Sequence, residues 1–377
     1  MVNAVAYLYP WDVLGDPRAV DRVAALGVNR VALGASYHAV RAATPLHPRH
    51  RIVHATHGAL YLPVPERRWA TAAIRPRTAA AWTGRDDSFA AARDLLRARG
   101  LEVDAWVVLT HTDPVTPTGF APRNAFGDTY GYGLCPAFRE VRDYARTLVE
   151  EVMRAGAPDG LIVEACGPMG AGHQSEHEKT AGADWDALDE RLLSICFCAA
   201  CTDLMADPGG ARSAVTAAVG TGRFVPDEVA ADVLAVRSTV TAALRDEVVF
   251  AARAAGAAGA ARAAGAAGRL GFFADADPWA VGPAAHVREK GDFYIASAWD
   301  ASISRVAALR ASVTGRVAAY VTILPPTVPD SDRLTRDWQG LIDAGADELH
   351  VYHAGLASAA RLDAAARALR NLKEGNP

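Results

Sequence analysis

Short apolar runs alternate along this chain with amphipathic stretches rich in alanine and arginine. Ala4–Tyr9 reads as a strand. Asp16-Pro17 then opens a helix that closes at Gly27, with a capping side chain, a first-turn proline and a terminal glycine. Arg30–Leu33 is a second strand, Ser88–Arg99 a helix ended by Gly100, and Glu102–Leu109 a third strand. Pro136–Ala155 is a long helix before a fourth strand, Leu161–Val163. Gly271–Ala274, Asp292–Ala296, Val317–Ile323 and Glu348–Tyr352 complete a set of eight. Uninterrupted apolar strands are the mark of buried parallel pairing. Eight of them alternating with helices predict an α/β fold, a single (β/α)8 TIM barrel over residues 1–377. An open doubly wound sheet is the alternative, and no Gly-x-Gly-x-x-Gly follows the first strand to support a dinucleotide site.

Two long insertions interrupt the spacing, residues 36–87 after strand 2 and residues 166–268 after strand 4. Both leave from strand C-termini, where barrel enzymes assemble their sites. The second contains Ala251–Gly259, AARAAGAAG, repeated as Ala260–Gly268, which reads as a low-complexity helix weakened by its glycines.

Composition narrows the possibilities. Of 377 residues, 51% are hydrophobic and 22% charged, which supplies a large core and excludes global disorder. The net charge of −4 carries no basic footprint for nucleic acid. No apolar run is long enough for a membrane span. The N-terminus lacks a basic segment and a cleavage site, so a cytoplasmic location is expected.

Three of the five cysteines fall within six residues, Cys196-Phe-Cys198-Ala-Ala-Cys201. Thiolates at such spacing can wrap one tetrahedral zinc ion, and a fourth ligand is needed from Cys135 or Cys166. All-cysteine ligation leaves no open position, so the expected Zn2+ is structural; no organic cofactor is expected.

Tyr130-Gly-Tyr-Gly-Leu-Cys135-Pro-Ala-Phe-Arg-Glu140, then Gly160-Leu-Ile-Val-Glu164, then the cysteine triplet resemble the middle of family 42 β-galactosidases and related barrel glycosidases. The resemblance covers residues 130–205. It implies a barrel, a zinc site completed by Cys135 with Cys166 spare, and Glu164 as general acid/base. The chain departs from the family in two places. Val163 stands where that family has Asn, and strand 7 runs into Thr322-Ile-Leu-Pro-Pro without a nucleophilic glutamate.

Glycoside hydrolysis needs two carboxylates across one bond. Glu164 ends an apolar run that would not tolerate it unless it faced a site. Asp275, directly after strand 5, is the second candidate, with Asp300 in reserve; Asp277 before Pro278 suits a turn. Asp12, Tyr37, His38, Arg41, His111, Tyr352 and His353 follow strand ends where inward polar groups would meet substrate. Trp11 and Trp299 offer rings for stacking on a sugar. His177 belongs to a substrate-contacting loop; His173-x-x-Glu176-His177 also matches an inverted zinc-protease helix, but the preceding glycines disfavour a firm helix. His47, His50, His54 and His57 suit a polar flap better than a second metal site.

These residues point to a glycoside hydrolase-like enzyme acting on a small carbohydrate or glycoside. Another carbohydrate-active enzyme (a lyase or isomerase) or a non-catalytic sugar-binding barrel is the alternative. Neither nucleic acid nor membrane is an expected partner, and a homo-oligomer is left open.

Overall fold

The computed structural model describes residues 3–112, 118–172, 179–260 and 268–375. Eight parallel strands form the barrel: β1 Asn3–Leu8, β2 Arg30–Tyr37, β3 Glu102–Val108, β4 Gly160–Glu164, β5 Arg269–Asp275, β6 Phe293–Ser297, β7 Arg316–Thr322 and β8 Glu348–Tyr352. Each pairs with its sequence neighbour, and β1 pairs with both β2 and β8, so the sheet closes. Closure removes the edges and buries both faces, which is why the strands are almost continuously apolar.

The outer helices include α1 Ala19–Ala25, α2 Ser88–Ala98, α3 Arg139–Gly156, α4 Asp227–Ala260, α5 Ile303–Ser312, α6 Ser331–Asp343 and α7 Ala359–Glu374. In α3 the buried positions Val141, Tyr144, Ala145, Leu148, Val149 and Val152 follow the three- and four-residue spacing of one helical face. The helix starts three residues later than the sequence suggests. Cys135–Phe138 forms a turn instead, closed by the Phe138 N–H on the Cys135 carbonyl. Likewise β2 runs four residues beyond its expected end. Its register shifts between Gly34 and Ser36 against β3, and Ser36–Tyr37 then pairs antiparallel with Ala59–Leu60. That partner comes from the residues between β2 and β3, which also form an antiparallel ribbon of Val40–Ala43 with Ile52–Ala55.

Side chains from non-adjacent strands can touch only through the barrel interior, and they do so in layers. At the N-terminal end, Arg269 of β5 donates two 3.0 Å hydrogen bonds to Glu348 of β8 and one of 3.0 Å to Asp104 of β3. Arg30 also pairs with Asp104. Above this charged floor the Tyr7 hydroxyl meets His350 Nδ1 at 2.9 Å. Tyr7 packs against Trp106 at 4.9 Å and Tyr320 at 5.0 Å between ring centroids. Gly271 makes room in this interior, since a Cβ there would lie 2.1 Å from the Phe293 ring.

After β4 a second apolar cluster gathers Leu192, Ile195, Phe197, Val215, Val233 and Val236. The four cysteines sit beside it as a small cluster of their own.

Candidate functional site

Glu164 is the last residue of β4 and is 6% exposed. Trp106 Nε1 donates a 2.7 Å hydrogen bond to its Oε2. Burial lifts the Glu164 carboxyl to about 7, and the Trp106 hydrogen bond opposes the shift only in part. Among the described residues no acidic neighbour contributes to that shift. Burial raises the phenols of Tyr7, Tyr37, Tyr320 and Tyr352, and the nearby Glu164 charge raises each further. Glu164 thus sits within electrostatic reach of four tyrosines from β1, β2, β7 and β8.

The aromatic wall is continuous. Trp106 meets Tyr37 edge-on at 4.5 Å and Tyr9 in a stack at 5.7 Å. Tyr37 stacks on His38 at 4.2 Å, and His38 lies 4.0 Å from His111. At the rim Trp299 is 47% exposed and stacks on Tyr352 at 5.0 Å with a 29° interplanar angle. Trp299 therefore presents a free ring face, whereas Trp11 is buried and stacked on Tyr9 at 4.4 Å.

Beside this wall is a second polar group of residues. Asp12 Oδ2 accepts the Tyr9 N–H at 2.7 Å and lies 3.8 Å from His353 Nδ1. Burial pushes the Asp12 carboxyl up to about 8 and the His353 imidazole down to about 3, so both are neutral at pH 7. Gly355 is required here, because a Cβ would lie 2.1 Å from Asp12 Cγ. Trp11 Nε1, Asp12 Oδ1, the Tyr61 hydroxyl and both His353 ring nitrogens are buried without a partner. Such atoms are few in a folded chain and gain from any hydrogen bond offered to them.

The other candidates are engaged differently. Asp275 ends β5, accepts the Asp277 N–H at 2.8 Å and faces Arg305 at 4.0 Å. Asp300 is exposed, accepts the Ser302 N–H at 3.2 Å and pairs with Arg305 at 3.4 Å. Arg41 is exposed on the antiparallel ribbon, opposite His54. His47 and His50 stack on each other at 3.6 Å. His177, with His173 and Glu176, lies outside the described residues.

Trp106, Tyr7, Tyr9 and Tyr320 were not singled out by the sequence. Each sits within or beside an apolar strand and reads as core; only the alternation of inward positions could have flagged them.

Cys135, Cys196, Cys198 and Cys201 bring their sulfurs within 4.8 Å of one another. Cys135 Sγ lies 3.5, 3.6 and 3.9 Å from those of Cys201, Cys198 and Cys196. A disulfide would require about 2.05 Å; these spacings are instead the edges of a tetrahedron that could hold one metal ion. The Arg123 N–H points at Cys196 Sγ from 3.4 Å, a contact that favours a thiolate. Among the described residues this is the one such cluster, and Cys166 is not part of it.

No protein-family model matches the sequence, and no curated protein matches it. Solved structures do share its architecture. α-L-Fucosidase isoenzyme 2 from Paenibacillus thiaminolyticus aligns with 99% of this chain at 10% identity and a TM-score of 0.54. The chain spans 49% of that fucosidase. The catalytic domain of β-amylase from Paenibacillus polymyxa aligns with the whole chain and 99% of its own length, at 10% identity and a TM-score of 0.53. At these identities the likeness establishes a closed (β/α)8 barrel.

Proposed function

We propose that the chain is a carbohydrate-active enzyme of glycosidase type in which Glu164 is the general acid. One observation carries the reading: a buried carboxyl at a barrel strand's C-terminal end, held by a single tryptophan N–H, whose pKa burial raises to about 7. A carboxylic acid in that state can deliver a proton to a glycosidic oxygen as the bond breaks. Trp299 supplies an open ring face for the apolar side of a sugar. The shared barrel with a fucosidase and a β-amylase adds fold-level support only.

Because strand 7 ends without a glutamate that could act as nucleophile, the short carboxyl spacing of a retaining enzyme, about 5–5.5 Å, suits the chain less. An inverting arrangement, about 6.5–9.5 Å with a water between, fits better, with Asp275 as the base in this reading. The engagement of Asp275 by Asp277 and Arg305 favours one alternative, a barrel that binds sugar without cleaving it.

For the cysteine cluster we propose one structural Zn2+ held by Cys135, Cys196, Cys198 and Cys201. A zinc–sulfur distance near 2.3 Å sets tetrahedral edges of about 3.8 Å, close to the spacings present. With four protein ligands it would fix the fold around Cys135 and take no part in bond cleavage.

A panel of aryl glycosides with good and poor leaving groups tests the acid. Glu164→Gln should lower kcat/KM about 10²-fold or more on poor leaving groups and far less on activated ones. Equal loss on both would remove Glu164 as the proton donor. Sugar binding without turnover on any glycoside would leave the binding barrel.

A further inference from the structure

A cleft of about 370 Å³ lies between α4 and the segment that follows β5, outside the barrel. Leu234, Ala235, Pro168 and Pro278 give it an apolar part. Its polar lining is Arg237, Ser238, Thr241, His286 and Arg288, and among the described residues no carboxylate lines it. Thr241 stands three and four positions beyond Ser238 and Arg237 on α4, so it shares a helix face with both.

The charge here is one-sided. Among the described residues neither Arg237, Arg245 nor Arg288 makes an ion pair. Arg237 is 9% exposed and caps the Trp279 and Ala280 carbonyls, with its Nε unpartnered. Arg245, two helical turns further on, is fully buried beside Cys166, with two guanidinium nitrogens unpartnered. Arg288 reaches across to Ser238 Oγ at 2.7 Å. His286 Nδ1 is buried without a partner. The opposing charges within reach of Arg237 are Asp277, which Arg191 holds at 2.7 Å, and Cys196 and Cys201 when they are thiolates. A buried guanidinium without a carboxylate is costly, and the cost falls when an anion arrives.

We propose that this cleft binds a phosphate-type oxyanion carried by a small molecule. Arg288, Ser238 and Thr241 would donate to its oxygens, and guanidinium geometry suits a tetrahedral oxyanion. The volume lies within the usual range for small-molecule sites, about 300–1,000 Å³, and leaves room for an organic group against Leu234 and Pro278. The site is separate from Glu164, although the segment beside the cleft is tied to β4 through the Ala165 N–H on the Pro283 carbonyl at 2.8 Å.

Calorimetric titration of the full chain with inorganic phosphate and with glucose 1-phosphate, at ionic strength matched with sodium chloride, tests this. The expected result is one saturable site with a Kd of about 1 mM or tighter. Tighter binding of glucose 1-phosphate supports a phosphorylated metabolite, and equal binding supports the free ion. Arg288→Gln should weaken both about tenfold or more, the loss of one charge-assisted hydrogen bond, while Arg288→Lys retains most of the affinity. Thr241→Val, which keeps the side-chain shape, should weaken binding by a smaller factor and serves if the Arg288 variants fail to fold. Glu164→Gln should leave phosphate binding unchanged. Absence of saturable binding by either probe, or binding insensitive to Arg288→Gln and Thr241→Val, overturns the proposal.

Discussion

Glu164→Gln has a consequence for stability that does not depend on knowing the substrate. The folded carboxyl titrates at about 7 against an ordinary 4.5, because burial disfavours its charged form. A group with a raised pKa binds its proton more tightly when folded. Its contribution is therefore fully present below the unfolded pKa and is lost as pH rises through the folded value. At 1.36 kcal/mol per unit the whole shift is worth about 3 kcal/mol, and roughly 2.5 kcal/mol of it falls between pH 5 and pH 8. Glutamine keeps the side-chain size and cannot ionise, so the variant lacks this component. Asp12, raised from 3.8 to about 8, gives a slope of the same sign in both proteins and cancels in the comparison. Urea unfolding of both proteins at pH 5 and pH 8 measures the difference. The wild-type chain should lose about 2 kcal/mol more than the variant across that interval. Equal losses would mean that Glu164 titrates at an ordinary value in the folded chain, which would falsify the argument that burial keeps it protonated.

Trp106→Phe deletes the N–H on Glu164 and should raise the carboxyl further, moving the upper limb of a pH–rate profile to higher pH. Metal analysis of protein purified without added zinc should give about one Zn2+ per chain, and Cys198→Ser should abolish it while lowering the unfolding midpoint more than turnover; a metal-free, equally stable wild type would contradict the zinc assignment. Trp299→Ala should raise KM with little change in kcat, since the ring offers binding surface but no reacting group. Arg269→Met strips Asp104 and Glu348 of a shared partner inside the barrel and should cost about 3–5 kcal/mol by chemical denaturation; a neutral effect would show that the floor of the barrel is hydrated.

The barrel was legible because its signal is local. Each strand is an apolar run bounded by turn residues, and each helix a stripe of three- and four-residue spacing, so both can be read a few residues at a time. The cysteine triplet stands out for the same reason, and Glu164 because a carboxylate closes an apolar run. Strand and helix ends were less legible. β2 extends to Tyr37 only because Ala59–Leu60 comes to pair with it, and α3 starts late because Cys135–Phe138 turns toward the other cysteines. What surrounds Glu164 was not legible at all. Tyr7 and His350 are 343 positions apart and meet because β1 closes on β8. The same closure brings Asp12 to His353, and lets Trp106, Tyr37 and Tyr320 wall a common space. Arg237 and Arg288 lie on separate elements, and only packing of α4 on the segment after β5 makes one cleft of them. Periodicity along a chain reports which residues will be buried. Which of them share an interior, and with what protonation, depends on strand register and closure, and those are properties of the folded chain.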